Sequence, residues 1–330
     1  MRQHFLKLLK MRRTKADFTP QASQMALWPS VSGNTINGVG QTVPSRPRPV
    51  YWHPPQMIAH GPLQRWFYEQ NADNAQLAQA RAKRQKVMDE PLAPLAPEPA
   101  QMSAQAWTQL VKEAALECGA DLVGITRMRP EWVYEGYEVK QQWIVMLAVA
   151  HDFQQLRKAP ETASAAEVVT QYARGNQVAK HVASAIRAKG HEALAHGGPL
   201  AGPMVLIPPA VECGFGELGK HGSLISRKLG SNFRLACVLT DVPMVADRKD
   251  TFGADEFCTA CRLCIDRCPP DAIQPQKQLV RGSVKWYVDF DKCLPYFNET
   301  AGCGICIAVC PWSRPGVADR MLQRWTTKTK

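Results

Sequence analysis

Apolar positions along this 330-residue chain follow two different rules on either side of Phe252. Before it they recur with the periods of regular structure. Leu110, Val111, Ala114 and Cys118 follow Trp107 at helical spacing, residues 121–126 read as a strand, and the unbroken apolar run 143–150 reads as a buried strand. Residues 176–189 predict another helix with Val178, Val182, Ala185 and Ile186 on one face, and 233–242 predicts a further strand. Helices interleaved with strands predict an α/β or α+β core over residues 101–250. Beyond Phe252 the pattern breaks into short stretches punctuated by Cys, Pro and Gly, which predicts a small domain built around a cofactor over 251–315.

The first hundred residues behave differently again. Up to about residue 75 they mix Trp, Pro, His and Gly without a sustained period, which predicts a segment that wraps a larger body. Residues 75–87 read as a polar helix. Pro91, Pro94, Pro97 and Pro99 then form a stiff spacer that ends any helix before Ala100.

Length and composition make an enzyme plausible: 330 residues can bury one large or two modest cores. No apolar run approaches the ~20 residues needed to cross a bilayer, so a soluble protein is expected. Forty Lys and Arg against 29 Asp and Glu give a net charge of +11, which favours acidic partners. Part of that charge lies in Arg2 to Lys15 and in a basic tail over 316–330. Arg12-Arg13 invites a twin-arginine export reading, but Thr14-Lys15-Ala16-Asp17 does not open the apolar stretch that export requires. A cytoplasmic location is the expectation.

Eleven cysteines, an odd number, favour metal binding over a disulfide framework. Cys258, Cys261, Cys264 and Cys268 before Pro269 form the bacterial ferredoxin run C-x2-C-x2-C-x3-C-P. A second set, Cys293, Cys303, Cys306 and Cys310 before Pro311, repeats it with the first spacing stretched to nine residues. Two such runs predict two 4Fe–4S clusters. By the exchange of fourth ligands in two-cluster ferredoxins, one cluster takes Cys258, Cys261, Cys264 and Cys310, the other Cys293, Cys303, Cys306 and Cys268. Structural zinc is the competing reading, although its ligands come as C-x2-C pairs separated by longer loops. Cys118, Cys213 and Cys237 lie outside the runs and read as small buried hydrophobes.

Gly214-Phe215-Gly216-Glu217-Leu218-Gly219 matches the dinucleotide fingerprint, with Asp241 at about the expected distance. The fingerprint should follow a strand. Here it follows Pro208-Pro209-Ala210-Val211-Glu212-Cys213, which reads as the start of a helix, so a nicotinamide site is disfavoured.

Lys285-Trp286-Tyr287-Val288-Asp289 and the stretch from Cys303 to Trp312 resemble the C-terminal domain of corrinoid-dependent reductive dehalogenases. The resemblance extends upstream through Tyr172, Gly214 to Gly219, Leu229-Gly230-Ser231-Asn232-Phe233-Arg234 and Thr240-Asp241, covering about residues 100–315. It implies an α+β architecture: a nitroreductase-like α/β core that binds the corrinoid, followed by a ferredoxin-like domain with two clusters. It further implies a base-off cobalamin between them, reduced to Co(I) one electron at a time, that cleaves a carbon–halogen bond of an organohalide. Tyr172 matches the family's proton donor and Arg234 the arginine beside it. A phenol of ordinary pKa ~10 gives up its proton more readily when a cation stabilises the phenolate. The backbone of Lys220, His221, Gly222, Ser223 and Leu224 is the expected corrinoid contact, and a low-potential ferredoxin or flavodoxin the expected electron donor.

Three departures qualify the resemblance. Where many respiratory members carry an asparagine that holds the tyrosine, the alignment reaches Gly197-Gly198. No Asp-x-His-x-x-Gly motif offers cobalt a histidine ligand. In the related epoxyqueuosine reductases an aspartate follows Tyr-Ala-x-Gly, whereas Tyr172-Ala173-Arg174-Gly175 is followed by Asn176-Gln177. Two alternatives therefore stand beside dehalogenation: corrinoid-dependent reduction of another carbon–heteroatom bond, such as an epoxide on tRNA, and a two-cluster electron carrier without catalysis. No aromatic-interleaved basic patch supports a nucleic-acid partner, and a core of this size exceeds what a carrier needs.

Overall fold

The computed structural model describes residues 18–199, 202–318 and 320–321; Arg2 to Lys15 and Arg324 to Lys330, with most of the basic tail, lie outside them. Among the described residues are eight strands: β1 Leu122–Arg127, β2 Trp143–Ala150, β3 Ala193–Gly197, β4 Glu217–Leu218, β5 Leu224–Ile225, β6 Phe233–Thr240, β7 Gln278–Val280 and β8 Ser283–Lys285. The main sheet has the order β1-β2-β6-β3, and every neighbouring pair is antiparallel. The core is thus α+β in the strict sense.

The apolar run of β2 is explained by cover on both faces. Val145, Leu147 and Val149 point to the layer of helices Ala104–Glu117 and Thr162–Arg187, where they meet Trp107, Val111, Val178, Val182 and Ile186. Ile144, Met146 and Ala148 point the other way and pack on Trp132, Met204, Leu206 and Phe233. The two-residue period of the pleat thus divides one apolar strand between two cores.

Two elements differ from the sequence-based expectation. The helix predicted from Asn176 begins at Thr162 and runs 26 residues. Its first half carries little more than small side chains. Ala165 and Ala166 bury themselves against Leu77 and Ala80 of helix Ala75–Asp89, a contact too small to give a strong apolar period. Strand β3 was not anticipated. It is short, lies at the sheet edge, and leaves Leu194 40% exposed, so its sequence lacks the apolar density of a strand covered on both faces.

The proline-rich stretch is a strap rather than a free spacer. The Ala96 and Ala100 amides donate to the Arg187 and Lys189 carbonyls, and Arg187 Nε donates to the Ala93 carbonyl. These bonds tie the strap to the C-terminal end of the long helix and the residues just after it.

Residues 18–60 lie across the C-terminal region and are held mainly by polar contacts to helix Phe290–Glu299, which carries Cys293. Gln24 Nε2 donates to Glu299 Oε1 and to the Pro295 carbonyl. The Gly33 amide donates to Asp291 Oδ1, and Asn34 Oδ1 accepts from both the Tyr287 hydroxyl and the Phe290 amide. Among the described residues no helix is long and apolar enough to cross a membrane.

Leu147 is fully buried in the central strand. Leu147→Ala is expected to cost roughly 2–5 kcal/mol, read as a fall of several degrees in the thermal midpoint at fixed scan rate, with the far-ultraviolet circular dichroism spectrum unchanged.

Candidate functional site

The eight run cysteines separate into two groups that cut across the linear order. Cys258, Cys261, Cys264 and Cys310 line one cavity together with Lys220, His221 and Trp312. Cys268, Cys293 and Cys306 pack around Ala272 and Ile273, with Cys264 at the border between the groups. Electrostatics sort them the same way. Burial pushes the Cys310 thiol up to about 12, and negative charge on Cys258, Cys264 and Cys261 adds to the shift. Burial likewise pushes Cys293 up to about 12, and there the added repulsion comes first from Cys303 and Cys268. Cys303 is pushed up to about 11, by burial and then by Cys268. The turn at each proline, Pro269 and Pro311, sends the fourth cysteine of each run into the other group. All eleven cysteines are free thiols. Outside the runs, Cys213 and Cys237 are buried and Cys118 is half-buried.

The glycine fingerprint connects a helix to a strand, the reverse of the order a dinucleotide site requires: helix Ile207–Glu212 leads through Gly214 into β4. Its glycines serve close backbone packing. Gly216 has φ +142°, and a Cβ there would sit 1.9 Å from the Ile225 carbonyl oxygen. Asp241 accepts from the Gln142 amide at the sheet end.

Residues 219–223 form the tight connection between the paired strands β4 and β5. Lys220 is 2% exposed; its amide donates to Cys258 Sγ at 3.5 Å and its Nζ to the Cys261 carbonyl at 2.9 Å. His221 is buried, its Nδ1 accepts from the Ser223 amide at 3.2 Å, and burial lowers its pKa to about 4. Of the five residues expected along a corrinoid, only Ser223 and Leu224 line the large cleft. Lys220 and His221 turn to the thiol cavity, because side chains of a tight turn between paired strands diverge.

The cleft offers about 1060 Å³, its open mouth included, and is walled by Met204, Leu206, Ile207, Leu224, Phe233 and Leu235. Tyr172, from the long helix, and Arg234, from the start of β6, stand where this cleft adjoins a second cavity of about 770 Å³. The Arg234 guanidinium lies 5.4 Å from the centre of the Tyr172 ring. Arg234 Nε is buried without a hydrogen-bond partner among the described residues.

Gly197-Gly198 gives Tyr172 a seat of a different kind from a polar side chain. A Cβ on Gly198 would fall 2.2 Å from Tyr172 Cε1, so only glycine lets the loop close over the ring. Asn176 Nδ2, one turn on, donates to the Tyr172 and Gly198 carbonyls and ties loop to helix. Gln177 is exposed on the helix and does not line the cleft.

Close to Arg234 lies His151, whose pKa is lowered to about 4 by burial, with Arg234 adding to the shift and Glu167 opposing it. The Glu167 carboxylate stands 3.7 Å from His151 Nδ1, too far for a hydrogen bond, so it acts through its charge.

Sequence reasoning missed several residues that line these spaces. Trp52 and His53 reach the cleft from the N-terminal segment, and Tyr68, Arg81 and Arg84 line the second cavity. The density of Trp, His and Pro around residue 52 was the one available signal. His53 Nε2 is engaged by the Tyr137 hydroxyl at 2.7 Å.

Comparison with known proteins finds similarity at the level of the cysteine domain, the sequence and the fold. Residues 257–313 match a 4Fe-4S dicluster domain. The chain is 30% identical over 210 residues to a tetrachloroethene reductive dehalogenase of Desulfitobacterium hafniense, covering 59% of this chain and 37% of that protein. It is 27% identical over 257 residues to the enzyme of that name from Sulfurospirillum multivorans, covering 64% and 51%. An epoxyqueuosine reductase of Leadbetterella byssophila is 35% identical over 140 residues, covering 36% and 42%. Among solved structures, the catabolic reductive dehalogenase NpRdhA matches with a TM-score of 0.72 at 22% identity, over 92% of this chain and 47% of that one. The fold is therefore that of a reductive dehalogenase, while the chain spans about half the length of these relatives or less.

The crossed grouping is testable by spectroscopy. Cys310→Ser is expected to perturb the same cluster signal in electron paramagnetic resonance as Cys258→Ser, and Cys268→Ser the same signal as Cys293→Ser. Grouping by linear run instead would refute the crossing. Because the folded-state pKa of His151 lies below its ordinary 6.5, the fold favours the neutral ring. Its contribution to stability is present above pH 6.5 and is lost as the pH falls toward 4. His151→Gln should therefore flatten the fall in thermal midpoint across that window.

Proposed function

We propose that this chain is the redox and catalytic body of a reductive dehalogenase-like oxidoreductase, in which two 4Fe–4S clusters feed electrons to a base-off cobalamin that cleaves a carbon–halogen bond. One observation carries the reading. The tight turn at 219–223 joins Lys220 and His221, at the wall of the cavity holding Cys258, Cys261, Cys264 and Cys310, to Ser223 and Leu224, at the wall of the cleft. A single turn of backbone separates the candidate electron source from the candidate reaction space.

The cleft suits an extended, largely apolar ligand through its wall of Met204, Leu206, Ile207, Leu224, Phe233 and Leu235. A bound corrinoid would supply a low-potential cobalt centre able to attack the substrate or its halogen. The protein's own residues supply the rest. Replacing halogen by hydrogen consumes two electrons and one proton and releases halide. In this reading Tyr172 gives that proton from its hydroxyl, with the Arg234 guanidinium 5.4 Å from the centre of its ring. Trp52, Leu224 and Phe233 contribute apolar wall to this space. An organohalide is the proposed substrate, a low-potential ferredoxin or flavodoxin the proposed donor, and the cytoplasm the proposed location.

Epoxyqueuosine-type reduction is the second reading, favoured by the 35% identity to an enzyme of that name. The exposed position of Gln177 weighs against it, since no acid then stands in the cleft at that place. A carrier without catalysis would have no use for a cleft of this size beside Tyr172.

Reconstituted protein should retain about one cobalamin on gel filtration with a base-off visible spectrum; loss of all corrinoid would defeat both corrinoid readings. Tyr172→Phe removes only the hydroxyl and should leave corrinoid retention intact. Halide release from haloaromatics and haloalkenes with a low-potential reductant should fall ~10²–10⁴-fold, and full turnover by the variant would reassign the proton to another group.

A further inference from the structure

The cavity that holds Cys258, Cys261, Cys264 and Cys310 is ringed by hydrogen-bond donors for which the protein supplies too few acceptors. His221 Nδ1 accepts from the Ser223 amide, so in the neutral ring the proton sits on Nε2. That Nε2 is buried and has no partner among the described residues. Trp312 Nε1, which can only donate, is likewise buried and unpartnered. Both side chains line this cavity. A buried donor left unmade costs its full desolvation penalty, so two on one small cavity imply an acceptor that the polypeptide does not contain.

Charge makes the same point. Lys220 is 2% exposed, and its Nζ is held by the carbonyls of Cys261 and Thr259 and lies 4.9 Å from the centre of the Trp286 ring. No described carboxylate forms an ion pair with it. A buried ammonium without an anion is costly, and a cubane held by four thiolates carries the missing negative charge. Around the second thiol group Ile265, Ala272, Ile273 and Val288 pack against the sulfurs, and backbone amides donate to them, Ala272 to Cys268 Sγ and Ile305 to Cys303.

Resting on the two-cluster reading, we propose that Lys220, His221 and Trp312 form an electrostatic cradle that raises the reduction potential of the cluster beside the cleft above that of the other. Hydrogen bonds to sulfur and nearby positive charge both favour the reduced, more negative cluster. The order gives electron flow a direction. One electron from a low-potential one-electron carrier reduces the second cluster and passes to the first. The second is thereby reoxidised, and no proton moves. The reducing equivalent comes to rest at the turn 219–223, against the cleft.

The test is a redox titration of the iron- and sulfide-reconstituted full chain, followed by electron paramagnetic resonance without added corrinoid or substrate. Two midpoints are expected. Lys220→Met should shift the reduction equilibrium of the higher one about tenfold toward the oxidised form, about 59 mV for a one-electron couple, and leave the lower one in place. Trp312→Phe removes only the N–H and should shift the same midpoint in the same direction by less; it keeps the question answerable if Lys220→Met fails to hold iron. Unchanged midpoints in Trp312→Phe and in every variant that retains about eight irons, or a shift confined to the lower midpoint, would overturn the cradle while leaving two clusters standing. A wild-type chain that binds four irons or none would overturn the two-cluster reading itself, and the cradle with it.

Discussion

The C-terminal quarter of this molecule is governed by the cost of placing thiolates where water is excluded. Burial pushes Cys264, Cys293 and Cys310 up to about 12 and raises Cys306 well above its ordinary value, so without iron these groups stay protonated at neutral pH. Iron reverses the balance, because it replaces the proton and supplies the charge that a desolvated thiolate lacks. Among the described residues from 252 to 310 regular structure contributes little: four α-helices of four to ten residues and one hairpin of three-residue strands. Metal–sulfur bonds of the kind a 4Fe-4S dicluster domain forms are therefore the natural organisers of this region.

The rest of the chain is arranged around that dependence. The N-terminal segment binds helix Phe290–Glu299 through Gln24, Gly33 and Asn34 and so steadies the element that carries Cys293. The same segment continues to Trp52 and His53 and closes the cleft from the opposite side. From the core, the turn between β4 and β5 presents the Lys220 amide to Cys258. That turn gives the thiol cavity one wall through Lys220 and His221 and the cleft another through Ser223 and Leu224, while the rest of the cleft is built by the core and the N-terminal segment.

Tyr172 illustrates how little of a site resides in the residue itself. Its ring is held by the absence of side chains at Gly197 and Gly198, by Asn176 tying that loop to the long helix, and by the Arg234 guanidinium alongside. Arg234 reaches it because β6 begins one residue earlier, at Phe233, paired with the end of β2. A phenol and a cation 62 positions apart thus meet through the register of two central strands.

What the sequence determined by itself was whatever depends on short spacing: the cysteine runs, the apolar strand 143–150, the helix at 104–117 and the helix opening at Pro208-Pro209. Local chemistry and a period of two or 3.6 are enough for these. The tertiary structure decided the remainder. Helix Thr162–Arg187 owes its first half to alanines that matter only once Leu77 and Ala80 lie against them. Strand β3 exists because β6 offers it an edge. The resemblance assigns the backbone of 220–224 to a corrinoid, and only the tertiary structure shows that Lys220 and His221 line the sulfur cavity while Ser223 and Leu224 line the cleft. Trp52, Tyr68, Arg81 and Arg84 had no local signature, since residues distant in sequence become walls of one cavity only when long-range packing brings them together.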